Sequence, residues 1–106
     1  MEQSCSETPD RPMVRLQIYG LLRLMLGGKE GVELPCNEGE TVRQMLDRFQ
    51  SAMPIPVTHK LIDAGGSPHM GTIILLNRKN ILHINGLETV LHPGDVLALF
   101  PPGAGG

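Results

Sequence analysis

Only one stretch of this 106-residue chain has the spacing of an amphipathic helix of useful length. Val42, Met45, Leu46 and Phe49 fall at i, i+3, i+4 and i+7 and therefore share one face. Thr41, just ahead of them, is a ready N-cap, its hydroxyl able to accept from an orphan backbone N–H. Pro54 and Pro56 stop the pattern. The other apolar residues come in short runs of strand length. One helix can cover one face of one sheet, so the economical fold is a two-layer α+β domain, a mixed sheet packed on a single main helix. Arg43, Gln44, Asp47, Arg48 and Gln50 then lie on the helix's far side and read as merely solvated.

The strands follow from period and punctuation. Val14, Leu16 and Ile18 alternate with polar residues up to Tyr19, which gives a strand with one apolar face. Leu21 to Leu26 reads as a short helical turn or loop over the sheet, ended by Gly27-Gly28. Gly31 to Pro35 is a second strand, placed to pair antiparallel with the first. Val57 to Pro68 is the least regular segment, with a short turn at His59 to Ile62 and a loop at Gly65-Gly66. Thr72 to Asn77 is nearly all apolar, the mark of a strand buried on both faces. A turn at Arg78-Lys79-Asn80, a short strand at Ile81 to Ile84 and the turn signal Asn85-Gly86 follow. Pro93-Gly94-Asp95 then turns the chain into a last buried strand, Val96 to Phe100. This arrangement fits the β-grasp fold best. Residues 1–12 read as a disordered leader, 13–100 as the domain and 101–106 as a flexible tail.

Composition removes several function classes. A net charge of -2 and one Tyr, two Phe and no Trp argue against nucleic acid, which asks for a basic face and stacking platforms. No run approaches the roughly 18 apolar residues of a membrane span. Cys5 and Cys36 make no CxxC pair, which fits a reducing compartment and a cytoplasmic protein. His59, His69, His83 and His92 have no zinc-ligand spacing, so no metal site is expected. Cys36 has no neighbour that would activate its thiol and reads as a small residue near a strand end. No phosphate-binding glycine motif is present.

The last strand leads into Pro101-Pro102, then Gly103-Ala104-Gly105-Gly106, a tail with no side chain larger than a methyl. The run from Pro93-Gly94-Asp95 through Phe100-Pro101-Pro102 to Gly105-Gly106 closely resembles the C-terminal signature of the MoaD/ThiS sulfur-carrier family. The strand before Tyr19 with Arg23 after it, Glu33-Leu34-Pro35 ahead of Gly39-Glu40-Thr41-Val42, and Leu91 before the turn extend the resemblance over about residues 13–106. After Leu76-Asn77 many members carry glycine where this chain has Arg78. Either the turn differs here or Asn80 takes the left-handed conformation.

The resemblance implies a ubiquitin-like carrier and not an enzyme. An activating, ubiquitin-activating-like adenylyltransferase would use ATP to adenylate the Gly106 carboxylate, and a sulfur donor would convert it to a thiocarboxylate. No cofactor would be bound by the carrier itself. Gly105 and Gly106 would thread the nucleotide site, Pro101 and Pro102 would stiffen the exit, and Phe100, Tyr19 and Ile81 would form an exposed docking patch at the tail's root. The Phe-Pro-Pro ending points to molybdopterin synthesis, with a large synthase subunit as a further partner; tungsten cofactor, thiamine and cysteine pathways remain open. The same tail also suits a ubiquitin-like modifier joined to lysines through Gly106. A third reading is a β-grasp interaction domain with an incidental Gly-Gly end.

Overall fold

A computed structural model describes residues 13–103 of the chain. The first strand, β1 (Met13–Ile18), keeps the alternation of its sequence: Val14, Leu16 and Ile18 are fully buried, and Met13, Arg15 and Gln17 between them are half-buried. A six-residue helix, α1 (Gly20–Met25), buries Leu22. The second strand, β2 (Gly31–Pro35), returns antiparallel to β1, with Val14 opposite Leu34 and Gln17 opposite Gly31.

The main helix, α2 (Val42–Ala52), starts at the expected N-cap. Thr41 Oγ1 accepts from the Gln44 N–H at 3.2 Å, and Gln44 Oε1 accepts from the Thr41 N–H at 3.0 Å, a reciprocal capping box. Val42, Met45, Leu46 and Phe49 are buried against the sheet. Full burial of side chains of this size contributes roughly 1.5–3 kcal/mol each. Met53, which precedes Pro54, is already extended, as the residue before proline must be.

Three strands complete the sheet: β3 (Ile73–Leu76), β4 (Lys79–Asn80) and β5 (Val96–Phe100). Their order is β2-β1-β5-β3-β4, with β1 and β5 parallel at the centre and the other pairs antiparallel. With α2 across one face, this is the β-grasp arrangement. Among the described residues no helix is long and apolar enough to cross a membrane.

Four local expectations are corrected. The apolar run at β3 is not buried on both faces: Ile74 and Leu76 enter the core, while Ile73 is 45% exposed and Leu75 only half-buried. Ile81 to His83 is a 3-10 turn and not a strand. The turn expected over Arg78-Lys79-Asn80 is instead a two-residue loop, Asn77 (φ 52) and Arg78 (φ 75), as in a type I′ turn; of the two alternatives the turn differs, and Asn80 stays at φ -64. Arginine in that conformation costs about 1 kcal/mol relative to glycine.

The fourth correction concerns the far side of α2. Arg48 reaches back to the carboxylate of Glu40 through Nε and Nη2, each at 2.8 Å, and Nη2 also donates to the Pro35 carbonyl. Glu40 is buried and accepts a third bond from the Asn37 N–H at 2.9 Å. The Arg48 guanidinium holds the Glu40 carboxyl below the usual carboxylate range, against the opposing effect of burial. Gln50 Oε1 takes the N–H groups of Val57 and Thr58 at 2.7 and 2.9 Å, closing the proline loop after the helix. Arg43 donates to Glu88 and to the Gly66 carbonyl.

Removing Arg48 as Arg48→Leu strands a buried charge. The expected loss is about 2 kcal/mol in urea unfolding at neutral pH, below the roughly 3–5 of a fully buried pair, because Arg48 keeps about a third of its side chain in water. Glu40's folded pKa is lowered, so its contribution is complete above the ordinary carboxylate range and fades as pH falls through the lowered value. The gap between wild type and Arg48→Leu should therefore shrink in acid; a gap that is constant with pH contradicts the pairing.

Candidate functional site

The start of β5 is held by a polar network. Gly94 turns at φ +91, a conformation open to glycine, and Asp95 Oδ2 accepts from the His92 N–H at 2.8 Å. Asn77 joins this turn to the β3–β4 turn: its amide donates to Asp95 Oδ1 and accepts from the Val96 N–H, both at 2.9 Å, and its own N–H donates to the Val96 carbonyl at 2.8 Å. Asp95 thus serves its own turn, as expected for an acidic residue there.

From this anchored start β5 alternates. Leu97 and Leu99 face α2, and Val96, Ala98 and Phe100 face the other way, onto the side of the sheet that no helix covers among the described residues; Ala98, a small side chain between larger neighbours, is itself buried. The parallel register places Gln17 beside Ala98, and the antiparallel register places Ile73 beside Phe100 and Leu75 beside Ala98. The open face therefore has an apolar strip, with a groove of about 540 Å³ along it lined by Tyr19, Leu75, Val96, Ala98, Phe100 and Arg78, among others.

Tyr19 and Phe100 stack at the tail end of the strip, ring centroids 4.4 Å apart and planes within 5°. They are two of the three aromatic residues in the chain. Such a pair contributes about 0.5–1.5 kcal/mol beyond its buried area. The Tyr19 hydroxyl donates to Gln17 Oε1 at 3.0 Å, and the Arg23 guanidinium carbon lies 5.1 Å from the Tyr19 ring centroid. Both rings remain partly exposed. Ile81, expected beside them, is not there: it is 1% exposed and packed in the core, because the 3-10 turn at Ile81–His83 carries it inward.

The tail's root is seated on two glycine turns. A Cβ on Gly20 would lie 3.5 Å from the Pro101 ring, and one on Gly71 would lie 3.5 Å from Pro102 Cβ, so both prolines rest against bare backbone. Gly103 is exposed, and a Cβ there would meet nothing within 4 Å among the described residues. Gly105 and Gly106 lie outside the described residues.

Other candidates have structural roles. Cys36 is buried, and burial, followed by the Glu40 and Asp95 carboxylates, pushes its thiol up, away from reactivity. Met45 and Met25 pack in or against the core. His69 Nε2 bonds the His59 carbonyl at 2.8 Å. Among the described residues no three His, Cys, Asp or Glu side chains gather as a metal site. The sequence reading reached Tyr19, Phe100 and the prolines but missed Leu75, Val96, Ala98 and Arg78. The period-2 alternation inside Val96 to Phe100 was the signal for two of them.

The chain is similar to small archaeal modifier protein 3 of Haloferax volcanii, 26% identical over 93 residues, which cover 88% of this chain and 98% of that protein. Its fold matches a chain of the Amycolatopsis orientalis BexX/CysO complex (TM-score 0.73, 28% identity, 88% of this chain and 99% of that one). It also matches small archaeal modifier protein 1 of Methanosarcina acetivorans (TM-score 0.72, 26% identity, 91% and 98%). The ThiS family matches residues 16–106, almost the whole chain and its Gly-Gly end included. The chain therefore belongs to the ThiS family, ubiquitin-like carriers of the MoaD/ThiS type.

Proposed function

We propose that this protein is a sulfur carrier whose Gly106 carboxylate is the reacting group. One observation carries the reading: β5 lies in the bare apolar face and continues through Phe100 into the seated prolines, so docking on the face delivers the tail in a set direction. A carboxylate resists nucleophiles, and an activating enzyme overcomes this with ATP. A Gly106 oxygen attacks the α-phosphorus and displaces pyrophosphate; a hydrosulfide equivalent then attacks the acyl carbon, expels AMP and leaves a thiocarboxylate. Gly105 and Gly106 lack Cβ atoms, which suits close approach to the nucleotide. The carrier supplies no acid or base and is the substrate of the step. ATP belongs to the activating enzyme.

The Phe100-Pro101-Pro102 ending supports molybdopterin synthesis as the destination of the sulfur, with a large synthase subunit as second partner on the same face. A buried, unactivated Cys36 suits the reducing cytoplasm. The names of the archaeal relatives favour a second reading, a modifier joined to lysine through Gly106. Both readings share the adenylate and part afterwards.

Intact mass measured after incubation with ATP, the activating enzyme of the same source and sulfide should rise by the difference between sulfur and oxygen, and not at all when Gly106 is deleted. An unchanged mass with a competent enzyme would move the protein to the interaction-domain class; isopeptide-linked conjugates in cell extract would favour the modifier. Phe100→Ser should stay folded, its ring being half-exposed, yet raise the carrier's KM for adenylation roughly tenfold, as loss of an aromatic anchor does. An unaltered KM removes Phe100 from the docking surface.

A further inference from the structure

The groove on the open face has a charged end as well as an aromatic one. It runs along β5 from the Tyr19–Phe100 stack to the Asn77-Arg78 turn, with Leu75, Val96 and Ala98 between. Four strand steps from Phe100 to Val96 separate the two ends by roughly 13 Å. Arg78 is exposed and lines the groove, and among the described residues it forms no ion pair. Arg15, on the same side of the sheet, is already opposite Glu33, 3.9 Å away, and Arg23 is engaged over the Tyr19 ring.

Arg78 holds this place in a strained conformation. Its φ of 75 is one that glycine takes freely and that residues with side chains rarely adopt, and two-residue hairpin loops favour glycine there. The fold gains nothing visible from the arginine, because the turn is pinned through Asn77, whose amide and N–H bind Asp95 and Val96. What arginine adds over glycine is a planar fork of donors at the groove's rim, shaped to take a carboxylate. Strain kept at an exposed groove residue that has no ion-pair partner among the described residues points outward.

We infer that Arg78 is a specificity-determining residue: it binds an Asp or Glu carboxylate that the activating enzyme presents when it covers the open face. This rests on the carrier reading above. The aromatic stack fixes one end of the docked enzyme and the ion pair fixes the other, so the tail's direction is set by two points rather than one. An enzyme without the carboxylate would meet an unpaired, half-desolvated guanidinium and be rejected.

The test is carrier-dependent exchange of pyrophosphate into ATP, using full-length chains and the activating enzyme of the same source. At low ionic strength KM for the carrier should rise about threefold in R78G and about tenfold in R78E, with kcat unchanged and with R78K recovering most of the loss. Raising the salt should narrow these differences. R78G should unfold at or above the wild-type temperature, which separates a lost contact from a lost fold. Equal KM values for wild type, R78G and R78E overturn the assignment of Arg78 while leaving the carrier reading intact. Absence of exchange with the wild-type chain overturns the carrier reading and this inference with it.

Discussion

Everything in this molecule hangs on the parallel pairing of β1 with β5. Arg15 to Ile18 lie beside Val96 to Leu99, roughly eighty residues apart in sequence. Among the described residues that ladder joins the most distant strands, and loop-closure entropy opposes it until the rest of the core supports it. It puts Leu16, Ile18, Leu97 and Leu99 under α2. It also puts Tyr19, just past the end of β1, next to Phe100 at the end of β5, so the aromatic stack and the tail's root are products of the same register. A slip of one residue would turn each of these side chains to the opposite face.

The two faces of the sheet then serve different ends. The inner face is closed by α2, with the Glu40–Arg48 pair locking the helix start to the end of β2. The outer face has no covering element among the described residues, yet it carries Tyr19, Ile73, Leu75, Val96, Ala98 and Phe100. A strip of this kind on a small domain marks an interaction surface more often than a packing defect. Here it adjoins the root of the tail, where Pro101 and Pro102 rest on Gly20 and Gly71.

How much of this could be read in advance depended on the range of the interaction. Local patterns were legible: the period-2 burial of β1, the Thr41 cap, the apolar stripe of α2 and the Pro93-Gly94-Asp95 turn all depend on residues a few positions apart. Arg48, Arg43 and Gln50 looked solvated because their partners Glu40, Glu88 and Thr58 come from other segments. The apolar run of β3 suggested burial on two sides, since apolar residues on an open face and in a core are alike in sequence. Ile81 failed for the converse reason: a 3-10 turn, invisible to a strand-length apolar pattern, rotates it into the core. A turn was legible near Arg78, but not which residues take the left-handed conformation, because arginine rarely does; the two-residue spacing between Leu76 and Lys79 puts it on Asn77 and Arg78.

If one face of the sheet holds the fold together and the other receives the activating enzyme, adding that enzyme to isotope-labelled chain and following side-chain signals by NMR separates the two. Attenuation is expected at Tyr19, Leu75, Val96, Ala98 and Phe100 together with the terminal glycines. Thr58, Ile62 and Ala64, in the separate groove beside α2, should be unchanged. Attenuation centred on the α2 groove, with the sheet face silent, would contradict that division of roles.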